Sequence, residues 1–434
     1  MRAMGMGHDY PDDLARRVHD QLAGLRESET APFVPDLDLL TEIFSVAFQA
    51  SLMREEARSV TFRLIVAPAE SFPVDAGPPA GLHRLAFDTP RPFNEDELRR
   101  LAPAAKFQRS LVGVAPDADG GMAIWGFLHS GPTWLRTLQG GRGRPAMLPP
   151  AVTVSVSRPG RLVVGWGNHT IAKLAAGRLN EASLDALQSA WLPRMFADVR
   201  QELMDLHLEH RARQSARWAR VDPDLTRLIG KHFVRRLVTT IRVAHHGGSV
   251  LIVPAHRAEQ ILDDHRISIK YRFTDEEPRR RYRTLIVRLM NALAAHGARL
   301  GRDEVGWAEY SDSIDPPVTA LDEAIFELAH LFAALADVDG AIIMTQRFEL
   351  LGFGAEIAGN LPEVTQVARA LDLEGVERAP ESVLGVGTRH RSVYRFCRAF
   401  PDALAIVISQ DGGVRYVRWL EPHVTYWDQA SPDV

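Results

Sequence analysis

Predicted helices and short apolar strands alternate along the chain from about residue 222 to residue 420. The runs 249–254, 338–344 and 403–409 are rich in branched apolar residues, and each follows a predicted helix. After the last run, Gly412-Gly413 marks a turn that leads into a hairpin partner. Alternation of this kind, with some strands in hairpins, predicts an α/β domain in which a mixed sheet is flanked by helices.

The first part of the chain has a different pattern. Residues 11–30 and 37–54 predict helices, and residues 152–166 predict a hairpin around a Pro-Gly turn, so we expect an α+β domain. A long helical stretch rich in Arg, Glu and His follows at 182–213 and predicts a connector. The predicted domains are an N-terminal α+β domain at 1–181, a helical connector at 182–221, the α/β domain at 222–420 and a C-terminal tail at 421–434.

Composition narrows the class of protein. The chain has 434 residues, which is more than one hydrophobic core usually organises, and its net charge of −4 gives no basic field for nucleic acid. Its only cysteine, Cys397, excludes a disulfide framework. No run of apolar residues is long enough to predict a membrane span, and the first residues lack the apolar segment of a signal peptide. We therefore expect a cytoplasmic protein that does not bind a membrane.

Two short motifs carry the candidate chemistry. Asp339-Gly340-Ala341 lies within an apolar run, and Gly387-Thr388-Arg389-His390-Arg391 leads into a predicted helix. A carboxylate at the end of a buried strand can hold Mg²⁺ or Mn²⁺, and arginine forks beside a helix start suit phosphate oxygens. With Ser409 at the end of a neighbouring strand, the set suits a metal-bound polyphosphate. Because each motif is short, however, spacing alone favours the alternative that Asp339 caps a turn and the arginines are surface charges.

Two further stretches have weaker signals. Gly140-Gly141-Arg142-Gly143-Arg144 could contact phosphate through its backbone, although a flexible loop is the simpler interpretation. His245-His246 follows a predicted helix, where cationic groups suit the helix C-terminus, so a structural role is favoured.

The two main motifs, in this order, resemble the hallmarks of the diadenylate cyclase family, which are Asp-Gly-Ala and Gly-Thr-Arg-His-Arg. Three lesser stretches agree with the resemblance: 247–253, 326–329 and 406–410. The resemblance covers residues from about 222 to 420. It implies an α/β cyclase domain that condenses two ATP into cyclic di-AMP and releases two pyrophosphates. The N-terminal part resembles the predicted sensor domains that are fused to some soluble bacterial cyclases.

The resemblance also implies roles for individual residues. The implied catalytic residues are Asp339, Arg389, His390 and Arg391. The implied ATP-binding residues are Gly340, Ala341, Ile357, Gly387, Thr388 and Ser409. The implied ligands of Mg²⁺ or Mn²⁺ are Asp339 and His390.

The family also implies how the protein assembles. One domain binds one ATP, so catalysis requires a face-to-face homo-oligomer, and the sensor domain has an unidentified ligand. The chain departs from the family in an insertion within 358–386, where the polar stretch to about residue 382 is predicted to be helical, and in an expansion around 275–318. Two other hypotheses are a degenerate cyclase that binds nucleotide only as a receptor, and a structural module that assembles through the helical connector.

Overall fold

The computed structural model describes residues 8–25, 33–78, 81–118, 120–131, 140–142, 148–175, 177–181, 184–244, 246–273, 276–357, 360–410 and 412–429. The chain divides into two compact units. The first comprises Met1–Leu138, Gly143–Ser183 and Pro432–Val434, and the second comprises Gln139–Arg142 and Leu184–Ser431. No helix among these described residues is long and apolar enough to cross a membrane.

The first unit is built on an eight-stranded sheet. Its helices are α1 (Pro11–Leu25), α2 (Leu37–Leu52) and α3 (Glu95–Leu101). Its strands are β1 (Arg54–Glu55), β2 (Arg58–Ser59), β3 (Phe62–Val66), β4 (His83–Pro92), β5 (Ser110–Pro116), β6 (Met122–His129), β7 (Val152–Arg158), β8 (Arg161–Trp166), β9 (His169–Ala175) and β10 (Arg178–Glu181). The order across the sheet is β10-β9-β8-β7-β3-β5-β6-β4. Among the described strands of this sheet, β3 and β5 are the pair that runs in parallel, and β1 and β2 form a separate hairpin.

Helix α2 illustrates how the sequence determines the capping and packing of a helix in this unit. The side chain of Asp36 accepts a hydrogen bond from the backbone N–H of Leu39 and so caps the helix. Leu40, Phe44 and Ala47 recur at helical spacing, and all three are fully buried in one cluster with residues of β3 and β7. The predicted α+β character of the N-terminal part follows from this packing of helices on one face of the sheet.

The second unit contains a nine-stranded mixed sheet with helices on both faces. Its helices are α4 (Trp191–Met195), α5 (Ala197–Ala212), α6 (Asp224–Val243), α7 (Ala258–Asp263), α8 (Glu276–Arg299), α9 (Trp307–Asp312), α10 (Pro316–Ala334) and α11 (Thr388–Ala399). Its strands are β11 (Arg220–Val221), β12 (Gly248–Val253), β13 (Ile267–Arg272), β14 (Glu304–Val305), β15 (Ala341–Thr345), β16 (Leu350–Ile357), β17 (Gln366–Ala370), β18 (Arg378–Ser382), β19 (Leu404–Ile408), β20 (Val414–Leu420) and β21 (His423–Gln429).

The order across the large sheet is β13-β16-β15-β12-β19-β20-β21-β17-β18, and β11 pairs with β14 outside it. Strand β12 runs parallel to β15 and antiparallel to β19, so it lies near the centre. Its side chains alternate between the two faces: Val250 packs with α6, α8 and α10, whereas Leu251 packs with α7 and α11. A strand that is buried on both faces explains the continuous apolar run in the sequence.

The ends of the second unit differ from the predicted boundaries. Residues 184–221 of the predicted connector belong to the second unit, where Trp191 of α4 and Leu203 of α5 are buried in the same cluster as residues of α6 and α8. Residues 182 and 183 lie outside the described residues. The predicted tail, 421–434, contributes β21, which pairs with β20 and β17 and buries Trp427 completely. Residues 430–434 lie outside the described residues.

The predicted helical insertion at 358–386 is wrong in its secondary structure. Beyond residues 358 and 359, which lie outside the described residues, it forms β17 and β18, and β17 pairs in parallel with β21. The physical reason is packing: Val367 is buried among sheet residues, and Trp427 Nε1 donates hydrogen bonds to the backbone oxygens of Asp372 and Leu373. The expansion at 275–318 forms α8, β14, α9 and the start of α10.

A short glycine-rich segment is fixed within the second unit. Arg142 Nε lies 3.2 Å from Asp322 Oδ2, and its Nη groups donate to the backbone oxygen of Tyr310 and to Thr319 Oγ1. Gly140 has a φ of +80°, and a β-carbon there would lie 2.4 Å from the backbone oxygen of His232. These residues are therefore held by protein contacts, unlike the flexible loop that the sequence favours. Gly143 and Arg144 lie outside the described residues.

Candidate functional site

One edge of the large sheet collects the ends of four strands. Ser249 of β12 pairs in parallel with Ala341 of β15, so the residues before both strands emerge at the same edge. Gly248 pairs with Ile408, which places the carboxyl end of the antiparallel strand β19 there as well. Because Ala341 also pairs with Ala355, the carboxyl end of β16 reaches this edge too. Residues far apart in the sequence are thus brought together by the topology.

Asp339 lies in the turn that leads into β15, and its side chain is exposed. The next residue, Gly340, has a φ of +120°, and a β-carbon there would lie 2.5 Å from the backbone carbon of Gly354. Only glycine allows this close approach to β16. The turn therefore holds the backbone of Asp339 against the neighbouring strand and leaves the carboxylate accessible.

Lys270 on the edge strand β13 was not identified from the sequence. Its ammonium group lies 2.6 Å from Glu356 Oε1. The hydrogen bond to Glu356 raises the pKa of Lys270, and the Asp339 carboxylate adds to this effect through its charge. A cation therefore lies in the electrostatic environment of Asp339. Lys270 is one polar residue in an alternating strand, so the sequence gives no signal that separates it from an ordinary solvent-facing lysine.

The second motif forms the first turn of α11, which begins at Thr388, so the motif lies within the helix rather than before it. Gly387 precedes it with an extended backbone and gives no side-chain cap, so backbone N–H groups remain available at this end. Thr388 and Arg391 are exposed, and Arg389 and His390 are half-buried. Free donors, the positive end of the helix dipole and two guanidinium groups together make an anion-binding arrangement.

Arg389 is connected to the Asp339 turn through His246. Arg389 Nη1 lies 3.5 Å from the backbone oxygen of His246, to which it donates. The imidazole of His246 contacts the carboxylate of Asp337, two residues before Asp339. His246 thus links the two motifs, which agrees with a structural role for this histidine. His245 lies outside the described residues.

The remaining predicted residues occupy the same edge in different environments. Ser409 follows β19, and its Oγ donates to the backbone oxygen of Gly413 at 3.1 Å, across the turn to β20. Ile357 ends β16, pairs with Ile267 and is half-buried. Ala341 begins β15 and is buried in the core of the sheet. The structure therefore places all ten predicted site residues around one edge of one sheet.

The side chains at this edge suit a hard cation whose other ligands come from phosphate oxygens and water. Among the described residues, no group of three or more His, Cys, Asp or Glu side chains is placed to hold a metal ion. Asp339 supplies one exposed carboxylate. Mg²⁺ and Mn²⁺ commonly bind through one or two carboxylates and complete their shells with phosphate oxygens and water. The residues present fit such an ion.

Comparison with known proteins adds one finding. Residues 29–129 match a family model described as "Probable sensor domain DACNV", a domain that is associated with diadenylate cyclases. The match lies in the first unit and does not reach the sheet edge described above. No curated protein and no solved structure matches the chain.

Proposed function

We propose that the chain is a diadenylate cyclase that condenses two ATP into cyclic di-AMP and releases two pyrophosphates. One observation carries the proposal: Asp339 and the Thr388–Arg391 turn of α11, about fifty residues apart in the sequence, lie at one edge of the same sheet. The sensor-domain match at residues 29–129 supports the same context. The first unit would then regulate the second.

The chemistry divides among the residues as follows. Each 3′-hydroxyl attacks the α-phosphorus of the other ATP, and the O–P bond to pyrophosphate breaks as the new O–P bond forms. Thr388, Arg389 and the N–H groups of α11 bind and orient the triphosphate, with Ser409 beside it. His390 adds a donor, and Arg391 supports the turn. Gly340, Ala341 and Ile357 form the nucleoside side of the pocket.

Asp339 is the acidic residue at the reacting end. Its carboxylate lies where it can accept hydrogen bonds from a ribose hydroxyl and favour loss of the hydroxyl proton. Mg²⁺ or Mn²⁺ held by Asp339, with His390 as the second candidate ligand, would supply charge stabilisation for the phosphates. Most of the rate enhancement then comes from placing the hydroxyl in line with the leaving pyrophosphate.

One unit presents one Asp339 and one α11 turn, so it offers a single set of ATP-binding groups. Two such faces must meet for each ATP to receive the attack of the other. The proposal therefore requires a face-to-face homo-oligomer, and a separated unit would bind ATP without turnover.

The test is direct. The full chain is incubated with ATP and either Mg²⁺ or Mn²⁺, and cyclic di-AMP is measured by mass spectrometry. We expect product only with a divalent cation. Asp339→Asn should reduce the rate by a factor of about 10²–10³, as expected for a lost electrostatic catalytic group, whereas Asp75→Asn, an exposed carboxylate of the first unit, should not. ATP binding without product under all these conditions would instead support a nucleotide receptor.

A further inference from the structure

A polar cavity, separate from the candidate site, lies where β12 and β15 end. Its volume is about 260 Å³, and its polar walls are formed by His256, Glu259, Arg279, Arg280, Arg347 and Glu349. The two strands are joined at this end by a hydrogen bond of 2.8 Å from the Gln346 N–H to the Val253 oxygen. The carboxyl ends of parallel strands are the usual place for ligand crevices in α/β sheets. Asp339 lies at the opposite ends of the same strands.

Glu349 is the unusual member of this cavity. Its side chain is only 8% exposed, and its Oε2 accepts a hydrogen bond of 3.3 Å from the hydroxyl of Thr345, which is fully buried. Within the described part of the chain, no Lys, Arg or His nitrogen lies within ion-pair distance of this carboxylate. A buried carboxylate without a cationic partner is costly. It therefore needs a compensating role.

The other walls carry three arginines, with Glu259 among them. Arg279 Nη2 lies 3.8 Å from Glu259 Oε1, which is too long for a hydrogen bond, and Arg347 Nε donates to Glu202 at 2.7 Å. Arg280 is exposed at the same cavity. Guanidinium groups bind carboxylates and phosphates through paired donors. The cavity thus combines three guanidinium groups, of which Arg279 makes only a long contact with Glu259, with the carboxylate of Glu349, which has no ion pair among the described residues.

We propose that this cavity binds a small zwitterionic ligand of the amino-acid type, with its ammonium group on Glu349 and its carboxylate on the arginines. A ligand that carries both charges compensates the buried carboxylate and uses the guanidinium forks at once. The cavity volume of about 260 Å³ leaves room for a small molecule of this kind. This site is independent of the cyclase proposal, because it uses none of the same residues.

The experiment uses the full chain and isothermal titration with each of the twenty common L-amino acids. Acetate, ammonium chloride and inorganic phosphate are the single-charge probes. We expect at least one amino acid to bind, and the single-charge probes to bind at least tenfold more weakly. Glu349→Gln should weaken binding of the amino acid at least tenfold. Glu363→Gln should not, because Glu363 lies in an exposed loop. Binding of phosphate as tight as that of any amino acid, or no binding at all, would overturn the proposal.

A stability measurement separates a binding role from a structural one. Without ligand, Glu349→Gln removes an uncompensated buried charge and keeps an acceptor for Thr345, so the melting temperature should rise or stay equal. With the amino acid at saturation, only the wild-type chain should gain in melting temperature. A marked fall without ligand would show that Glu349 supports the fold instead. Arg280→Gln, at an exposed position, gives a second test: undiminished binding would count against the arginine wall.

Discussion

Arg389 lies directly over the backbone of Gly247. A β-carbon on Gly247 would lie 2.5 Å from Arg389 Nη1 and 2.7 Å from the backbone oxygen of Ile408, and Gly247 has a φ of +68°. The segment that leads into β12 thus leaves room for the guanidinium group only because Gly247 has no side chain. The position of Arg389 depends on a backbone more than a hundred residues earlier in the chain.

Gly247→Ala should therefore displace Arg389 and reduce cyclic di-AMP synthesis at least tenfold. The matched control is Gly301→Ala, since Gly301 has a φ of +72° but open space around it. Both variants carry the cost of a left-handed alanine, about 1–2 kcal/mol, so their unfolding curves in urea show how much stability each has lost. If the two variants retain equal rates, Arg389 does not depend on the close approach at Gly247.

Cyclase activity should depend on association of two chains. In a dilution series of the full chain, the specific activity should rise with protein concentration, because two ATP-loaded faces must meet. Excess Asp339→Asn chain, added at fixed wild-type concentration, should lower the wild-type rate by forming mixed pairs. A specific activity that is constant with dilution and unaffected by the variant would contradict face-to-face catalysis.

Arg142 should stabilise the second unit more than a surface arginine does. Its side chain and that of Asp322 are 14% and 13% exposed, and Asp322 also accepts a hydrogen bond of 2.5 Å from the Tyr310 hydroxyl. Arg142→Gln removes one of two guanidinium groups beside this carboxylate, since Arg236 Nη2 lies 3.5 Å from Asp322 Oδ1. It should lower the free energy of unfolding by about 1.5–3 kcal/mol, as for a lost hydrogen bond to a charged group. Arg220→Gln is the control, because the Arg220–Glu304 pair is largely exposed and should contribute less than about 1 kcal/mol. Equal losses in urea unfolding would refute the difference.

The second unit should lose stability on mild acidification through His232. Burial lowers the pKa of His232 to about 3, the charge of Arg235 acts in the same direction, and a hydrogen bond with the Gly140 backbone opposes them. Between pH 6.5 and about 3, the unfolded chain holds a proton that the folded chain does not, so the free energy of unfolding falls as the pH falls.

Urea unfolding at about pH 7 and about pH 5 measures this effect. The wild-type chain should lose about 2 kcal/mol more than His232→Phe over this interval. The phenylalanine keeps an aromatic ring against Trp307, whose ring centroid lies 4.4 Å from that of His232. Identical losses in the two proteins would show that His232 is not the group responsible.

The sequence predicted the elements whose signals are local. The branched apolar runs became β12, β15 and β19, and the mixed α/β character of the second unit is confirmed. The helical prediction for the insertion is wrong because β17 is stabilised by pairing with β21, which lies in the predicted C-terminal tail. Strand propensity depends on such partners more than on the segment itself.

In the candidate site too, residues with local sequence signals are predicted, and residues that depend on the fold are not. The two motifs were visible as residue types at short spacing, whereas Lys270 and Asp337 enter only through the fold, which places them beside residues 69 and 91 positions away. The sequence does not single out Glu349 either, because what distinguishes this residue is that it is buried without an ion pair among the described residues. Burial and charge pairing are properties of the folded state, and a single glutamate in a sequence reveals neither.

The central place of β12 has a consequence for synthesis of the protein. This strand is made first among those of the large sheet, yet its neighbour β15 is made only after residues 254–340, and β19 later still. A nascent chain therefore exposes an unpaired apolar strand for much of its elongation. Parallel pairing over such separations forms slowly and leaves edges open to association with other chains. This protein should depend on chaperones while it is being translated, and truncated products ending before β15 should aggregate.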